Sequence, residues 1–209
     1  MAAPVIIDAH VHFRSPGPAL DQAELARTLR RADAVGIERL VLVGSIIAHG
    51  PNPTRRQVRA TNEQTIRAVQ QQPERFWGLC YVNPLHGRWA RQELLRCVRD
   101  GPLCGLKLWV ACRASDPAVR DLMQLAHELG VAVLQHAWNK AVPELPGESS
   151  AADVARLAEQ LPDLRIQMAH MGGVGWRGIN QVTPYRNILI DTGGAQPIAG
   201  LLEYALRRI

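Results

Sequence analysis

The sequence lacks the patterns that mark several common classes of protein. Its four cysteines show no C-x-x-C spacing, so neither a zinc knuckle nor a redox pair is predicted, and we expect reduced thiols that are mostly buried. No apolar run approaches the roughly 18 residues of a membrane helix, and no basic, apolar leader opens the chain. These absences predict a cytoplasmic protein that does not bind membranes.

Lysine is scarce in this sequence. All but two of the 24 basic residues are arginine, and the exceptions are Lys107 and Lys140. The arginines are scattered through predicted helices and form no stripe with interleaved aromatics, which argues against a nucleic-acid surface in spite of a net charge of +5. In such a chain, a lysine at a special position indicates that an amine is needed there.

Length and alternation indicate one α/β domain. The 209 residues can bury a sizeable core, and we expect residues 1–209 to form a single domain. Short apolar runs, as in strands buried on both faces, alternate with stretches of helical period. The predicted strands cover residues 5–9, 39–44, 76–82, 105–109, 131–136, 165–170 and 187–191. Helix starts are predicted at Asp21, Asp116 and Ser150.

Two architectures fit this alternation, an open doubly wound sheet and a closed barrel. A dinucleotide-binding open sheet carries G-x-G-x-x-G after its first strand, and Asp8-Ala9-His10-Val11-His12 stands there instead. Polar residues cluster at the ends of several strands, where a barrel keeps its active site. They are His10, His12, Lys107, His136, His170 and Asp191. We therefore predict a TIM-type (β/α)8 barrel that lacks its eighth strand and helix and is incomplete at its C-terminus.

His10 and His12 form the strongest functional signal. Two residues apart on a strand, their side chains point to the same face, and two imidazoles at that spacing can bind one metal ion. His136 and His170 end the fifth and sixth predicted strands, so the barrel directs four histidines toward one small volume. Such a set of imidazoles favours zinc, with manganese and iron as further candidates.

Lys107 ends the fourth predicted strand. In the mouth of a barrel its amine could pair with a substrate carboxylate, or bind metal after reaction with carbon dioxide. The competing interpretation is a lysine at the rim with its ammonium in water. Trp109, Trp138 and Trp176 also follow strands and could wall an apolar or aromatic substrate, with core packing as the alternative. We predict no role in the site for His49, His86 and His127.

Together these segments resemble the amidohydrolase superfamily, in particular the branch that includes aminocarboxymuconate-semialdehyde decarboxylase and resorcylate-type decarboxylases. The matching segments run in the family's order over nearly the whole chain. They are residues 8–12, 75–78, 82–84, 105–108, 135–136, 168–173 and 187–192.

The resemblance implies a barrel with, in this branch, one zinc ion held by His10, His12 and His136. It also implies that His170 orients or deprotonates a water molecule, or contacts substrate. Binuclear relatives carry a carboxylated lysine at the place of Lys107. The family's last acidic ligand lies in a Gly-Ser/Thr-Asp segment at the end of the eighth strand. This sequence has no counterpart of that segment, and the family does not assign the role to Asp191.

The leading hypothesis is metal-assisted hydrolysis or non-oxidative decarboxylation of a small carboxylated substrate, including aromatic ones. Zinc or another divalent metal such as Mn²⁺ is the expected cofactor, with His170 and Lys107 as catalytic residues. A phosphoesterase ranks lower, because TatD-type nucleases have Glu where Lys107 stands. The alternative from another class is a non-catalytic binding protein or pseudoenzyme with an incomplete metal site. Exposed strand edges of an open barrel also favour homo-oligomers.

Overall fold

The structure is a computed structural model that describes residues 5–15, 19–139, 145–173, 175–194 and 198–209. Its strands form a single curled sheet in chain order, and every neighbouring pair is parallel. The strands are β1 (Ile7–His12), β2 (Arg39–Val43), β3 (Phe76–Tyr81), β4 (Gly105–Leu108), β5 (Ala132–Gln135), β6 (Ile166–Met168) and β7 (Ile188–Ile190). This sheet confirms the prediction of a TIM-type barrel, with seven of its eight strands among the described residues.

A helix follows each strand, and several of the helix starts are marked by local capping chemistry. The helices are α1 (Gln22–Ala34), α2 (Arg55–Gln71), α3 (Arg88–Leu94), α4 (Pro117–Glu128), α5 (Ala151–Gln160), α6 (Trp176–Val182) and α7 (Leu201–Arg208). The predicted N-caps Asp21, Asp116 and Ser150 all accept a backbone hydrogen bond from the first turn. Ser150 and Asp153 form a complete capping box. None of the described helices has the length and apolarity to cross a bilayer.

Both faces of the sheet are largely buried in its inner strands, β2 to β6, as the continuous apolar runs predict. Alternate strand residues pack against the helices, among them Leu42, Phe76, Leu106 and Val133. Their neighbours along the chain point the other way and fill the barrel interior, among them Val43, Tyr81 and Leu134. The same alternation turns Lys107 inward, between Leu106 and Leu108. Three of the four cysteines are buried, Cys104 is exposed, and all four are free thiols, as expected.

Two strand boundaries differ from the prediction, and both differences concern the site. The first strand is predicted over residues 5–9 but runs over Ile7–His12, with a shift of register between Asp8 and Val11. The sixth strand is predicted to reach His170 but ends at Met168. His170 and Met171 adopt left-handed backbone conformations, with φ of 62° and 49°, which extended strands exclude.

β1 and β7 are the edges of the sheet. Among the described residues, no strand pairs with the outer side of either one. Apolar side chains remain exposed near both edges. On the side of β1 they are Ile6, just before the strand, and Ile7, its first residue; on the side of β7 they are Leu189 in the strand and Leu202 and Leu206 on α7.

Candidate metal centre

One cavity of about 310 Å³ opens where the ends of β1, β4, β5, β6 and β7 converge. All four histidines that the sequence singles out line it. The lining consists of His10, His12, Ile47, Trp109, His136, Trp138, Leu145, Glu148, His170, Gly193 and Gly194. The strand ends therefore gather the predicted polar residues on one side of the barrel.

The histidines form two contacting pairs joined by one carboxylate. Nε2 of His12 lies 3.1 Å from Nε2 of His10, and Nδ1 of His136 lies 3.2 Å from Nε2 of His170. Between the pairs, Asp191 accepts hydrogen bonds from Nδ1 of His10 at 3.0 Å and from the backbone N–H of His170 at 2.8 Å. Among the described residues, His10, His170 and Asp191 form the one trio whose ligand atoms all lie within 4.8 Å of one another. His12 and His136 flank that trio.

Oxygen acceptors determine which ring nitrogens carry protons. A carboxylate or carbonyl oxygen only accepts hydrogen bonds. Because Asp191 accepts from Nδ1 of His10, the neutral form of that ring has its lone pair on Nε2, facing His12. The carbonyl oxygen of Gly193 accepts from Nδ1 of His170 at 2.9 Å, so Nε2 of His170 also keeps its lone pair. These two Nε2 atoms are therefore the ones through which His10 and His170 could bind a cation.

Burial keeps His12 and His170 neutral. Burial, then the charge of Lys107 and of the neighbouring histidines, lowers the pKa of His12 to about 2. Burial likewise lowers the pKa of His170 to about 3, although the hydrogen bond to Gly193 opposes it. Burial alone would raise the pKa of Asp191, but hydrogen bonds, led by that from His10, hold it well below its ordinary value. Neutral imidazoles beside a carboxylate are the protonation states that metal binding requires.

The donor set fits a divalent ion. Nδ1 of His12 is buried and has no hydrogen-bond partner among the described residues. Buried polar atoms are rarely left unpaired, and an ion at the site is one of the standard reasons when they are. Nε2 of the same His12 ring faces Nε2 of His10, so the nitrogens suited to a cation are those that approach one another, in His10 with His12 and in His136 with His170.

Lys107 lies directly beneath the histidines. Its side chain is fully buried, and Nζ is 3.3 Å from Nε2 of His10. Burial lowers the pKa of Lys107 to about 7, although Asp191 acts to raise it. The interpretation of Lys107 as a rim residue with its ammonium in water is therefore wrong, because the amine lies inside the barrel.

Glycines let the loop after β7 cross over the imidazoles. A Cβ atom on Gly193 would lie 3.0 Å from Nδ1 of His10, and one on Gly194 would lie 2.9 Å from Nδ1 of His170. Gly194 also has a φ of +86°, which L side chains rarely adopt. The loop thus approaches the site by its backbone, and the carbonyl oxygen of Gly193 can reach His170.

The tryptophans divide into two groups. Trp109 and Trp138 line the cavity, and the ring of Trp138 lies 4.5 Å from that of His170, centroid to centroid. Trp176 opens α6 with 65% of its surface exposed and is not among the lining residues. None of the three histidines expected to lie outside the site, His49, His86 and His127, lines the cavity.

Three polar residues of the site escaped sequence reasoning in whole or in part. The sequence places Asp191 at the end of the seventh predicted strand but does not predict its contact with His10. Gln167 lies within β6 and donates to Asp191 at 2.7 Å and to the carbonyl oxygen of Ala9 at 3.3 Å. Glu148 lies in a loop without periodicity, and its Oε1 is 2.8 Å from Nε2 of His136. The sequence carries no local signal for Gln167 or Glu148.

Similar sequences and structures are found among known proteins. A family model described as amidohydrolase matches residues 7–205. The 2-amino-3-carboxymuconate-6-semialdehyde decarboxylase of Dictyostelium discoideum is 25% identical over 131 residues, which cover 54% of this chain and 36% of that protein. The match thus spans little more than a third of that relative.

Two solved structures share the fold. The 2,6-dihydroxybenzoate decarboxylase from Rhizobium superposes with a TM-score of 0.72 at 19% identity, covering 99% of this chain and 84% of that one. A dihydroxybenzoic acid decarboxylase from Polaromonas sp. JS666, solved with manganese and the inhibitor 2-nitroresorcinol, has a TM-score of 0.69 at 18% identity and covers 99% and 83%. At these identities the likeness establishes the fold.

Proposed function

Because the chain belongs to the amidohydrolase family, we propose that it is a metal-dependent enzyme that decarboxylates or hydrolyses a small carboxylated substrate. The observation that carries the proposal is the cavity lined by four histidines, one of which, His10, also contacts an ionised Asp191 and a buried Lys107. Decarboxylation of a hydroxylated benzoate is the favoured reaction, because the two solved relatives described above are dihydroxybenzoate decarboxylases.

The proposed metal ligands are His10, His12 and His136, with zinc or manganese as the ion. The manganese in one solved relative supports a divalent metal. Such an ion supplies Lewis-acid polarisation of a carbonyl or carboxylate group. Asp191 orients His10 from behind, as carboxylates do for metal-bound histidines.

His170 and Lys107 are the proposed proton carriers. With a pKa of about 3, His170 is neutral at pH 7 and can accept a proton at Nε2, which faces the cavity. Lys107, with a pKa of about 7, exists both as ammonium and as free amine near neutrality. In decarboxylation the electrons of the broken C–C bond remain on the ring carbon, which takes up a proton as carbon dioxide leaves. The ammonium of Lys107 or a protonated His170 can deliver that proton.

Trp109 and Trp138 are the proposed substrate walls. Both line the cavity next to the histidines. Indole rings pack well against an aromatic substrate in offset or edge-to-face arrangements, and they exclude water from the reacting atoms.

The proposal is tested by metal content and turnover. We expect the protein to hold a divalent ion by elemental analysis and to release carbon dioxide from 2,6-dihydroxybenzoate or a related hydroxybenzoate. The double variant His10→Ala/His12→Ala should lose the ion, and with it about 1,000-fold or more in kcat, because the ion contributes several kcal/mol to catalysis. The matched control His127→Ala, on the exposed side of α4, should retain both.

Full metal occupancy in the double variant would overturn the ligand assignment. Metal binding without turnover of any hydroxybenzoate, ester or amide would instead support a non-catalytic binding protein.

A further inference from the structure

Glu148 is a buried acid to which the proposed function assigns neither metal binding nor proton transfer. Only 1% of its surface is exposed, although it lines the same cavity as the histidines. Its Oε1 atom lies 2.8 Å from Nε2 of His136. An acidic side chain is buried at a cost unless hydrogen bonds or charges compensate it, and His136 is one of the partners of Glu148.

The loop that carries Glu148 is held tightly in place. The backbone N–H of Leu145 donates to Oε2 of Glu148 at 3.3 Å, and the N–H of Glu148 donates to the carbonyl oxygen of Leu145 at 2.9 Å. Gly147 packs so closely on the loop after β4 that an added Cβ would overlap the carbonyl oxygen of Val110. The hydroxyl of Ser149 accepts from the N–H of Ala114 in that same loop. The carboxylate is therefore positioned by the fold itself.

This contact determines how His136 faces the cavity. Since a carboxylate only accepts, the N–H of a neutral His136 is on Nε2 and its lone pair is on Nδ1. Nδ1 lies 3.2 Å from Nε2 of His170, whose own N–H is directed to Gly193. Two nitrogen lone pairs then face each other, and binding of a cation by Nδ1 of His136 would relieve their repulsion.

We propose that Glu148 is a positioning residue of the metal centre, which holds His136 in the tautomer that presents Nδ1, and not Nε2, to the ion. A carboxylate behind a metal-bound imidazole also raises the basicity of the ligating nitrogen. Asp191 acts on the opposite flank, where it directs Nε2 of His10 inward. The inference rests on the proposed function, because it takes His136 to be a ligand.

The first test needs no variant. The 15N chemical shifts of the imidazole nitrogens, recorded on the full chain without metal at neutral pH, report which nitrogen carries the proton. We expect His136 to be the Nε2–H tautomer. An Nδ1–H tautomer, or a doubly protonated ring that persists with bound Zn²⁺, would overturn the inference.

The second test compares Glu148→Gln with Asp153→Asn. An amide can donate as well as accept, so the glutamine side chain of the first variant no longer selects one tautomer of His136. We expect the Kd for Mn²⁺ to rise 10- to 100-fold, roughly the loss found for such outer partners of metal ligands. Asp153 is equally buried but caps α5 and binds Arg156. Its variant should lower the melting temperature and leave the Kd for Mn²⁺ within about threefold of the unmodified protein.

The outcomes separate this inference from the proposed function. If the unmodified chain binds no Mn²⁺ or Zn²⁺, the proposed function fails. If it binds Mn²⁺ and the folded Glu148→Gln variant binds it equally well, only the role of Glu148 fails. Glu148→Asp keeps the carboxylate, but its side chain is one methylene shorter, so the carboxylate lies farther from His136. The Kd of this variant for Mn²⁺ should lie between those of the unmodified chain and Glu148→Gln.

Discussion

Two buried carboxylates of this molecule have their charge compensated in different ways. At the candidate metal centre, Asp191 is held by hydrogen bonds from His10, Gln167 and the backbone of His170. Glu93, on α3, is also fully buried, but it pairs with the guanidinium groups of Arg96 at 2.8 Å and Arg59 at 2.7 Å. The Arg96 and Arg59 pairs satisfy a structural charge, whereas the site histidines keep lone pairs directed at the cavity.

The Glu93 cluster makes stability depend on pH. Burial alone would raise the pKa of Glu93, but hydrogen bonds from Arg96 and Asn62 lower it below its ordinary value of 4.5. A group with a depressed folded-state pKa contributes stability above its unfolded pKa, and this contribution is lost as the pH falls through the folded value. We expect Glu93→Gln to cost about 2 kcal/mol at pH 7. The difference from the unmodified chain should shrink below about pH 4, measured by urea unfolding at several pH values. A pH-independent difference would show that the cost comes from packing.

At the scale of single residues, local pattern revealed the histidines but not their partners. Side chains two apart on a strand share a face, so the proximity of His10 and His12 followed from spacing alone. The contact between Glu148 and His136 joins a loop to a strand end, and that between Gln167 and Ala9 joins β6 to β1. Such contacts depend on how elements pack, which no local period encodes.

At the scale of elements, the loop between β5 and α5 is closely constrained where it meets the site. It ends in the capping box of Ser150 and Asp153, and Gly147 lies against the backbone of the loop after β4. The close contact of Gly147 and the hydrogen bonds between Leu145 and Glu148 together determine where Glu148 stands.

Replacing that glycine tests the constraint. In Gly147→Ala the new Cβ would overlap the backbone of Val110 and Ala111, so the loop must shift. We expect a loss of about 2 kcal/mol in the free energy of unfolding, typical of overpacking, and a weaker Kd for Mn²⁺. Asp116→Ala serves as control, because removing the N-cap of α4 costs about 1 kcal/mol and should leave the Kd unchanged. Unaltered Mn²⁺ affinity in Gly147→Ala would show that the loop tolerates the shift.

At the scale of the whole molecule, the site connects the two edges of the sheet. β1 and β7 each have one unpaired side among the described residues. The side chains of His10 and Asp191 join them at 3.0 Å, and Gln167 of β6 reaches the carbonyl oxygen of Ala9 in β1. An ion bound among these groups therefore links the first and last parts of the barrel.

Metal should accordingly stabilise the fold. At Mn²⁺ concentrations 100 times the Kd, linkage predicts about 2.7 kcal/mol of added stability, or roughly 5–10 °C in Tm for a domain of this size. Chelation by EDTA should reverse the shift, and His10→Ala should abolish it. Hydrogen exchange should slow more at β1 and β7 than at β3. Equal slowing in all strands would contradict the link between the edges.

The sequence by itself determined the order of the seven strands, three of the helix caps, the barrel and the histidines that line the cavity. These follow from periodicity and spacing over a few residues, which act within one segment of chain. Only the tertiary structure decided the partners of those histidines, the depth of Lys107, the exposure of Trp176 and the left-handed turn at His170. Those features arise where distant segments meet, since burial and hydrogen bonding across the barrel mouth depend on all the strands at once.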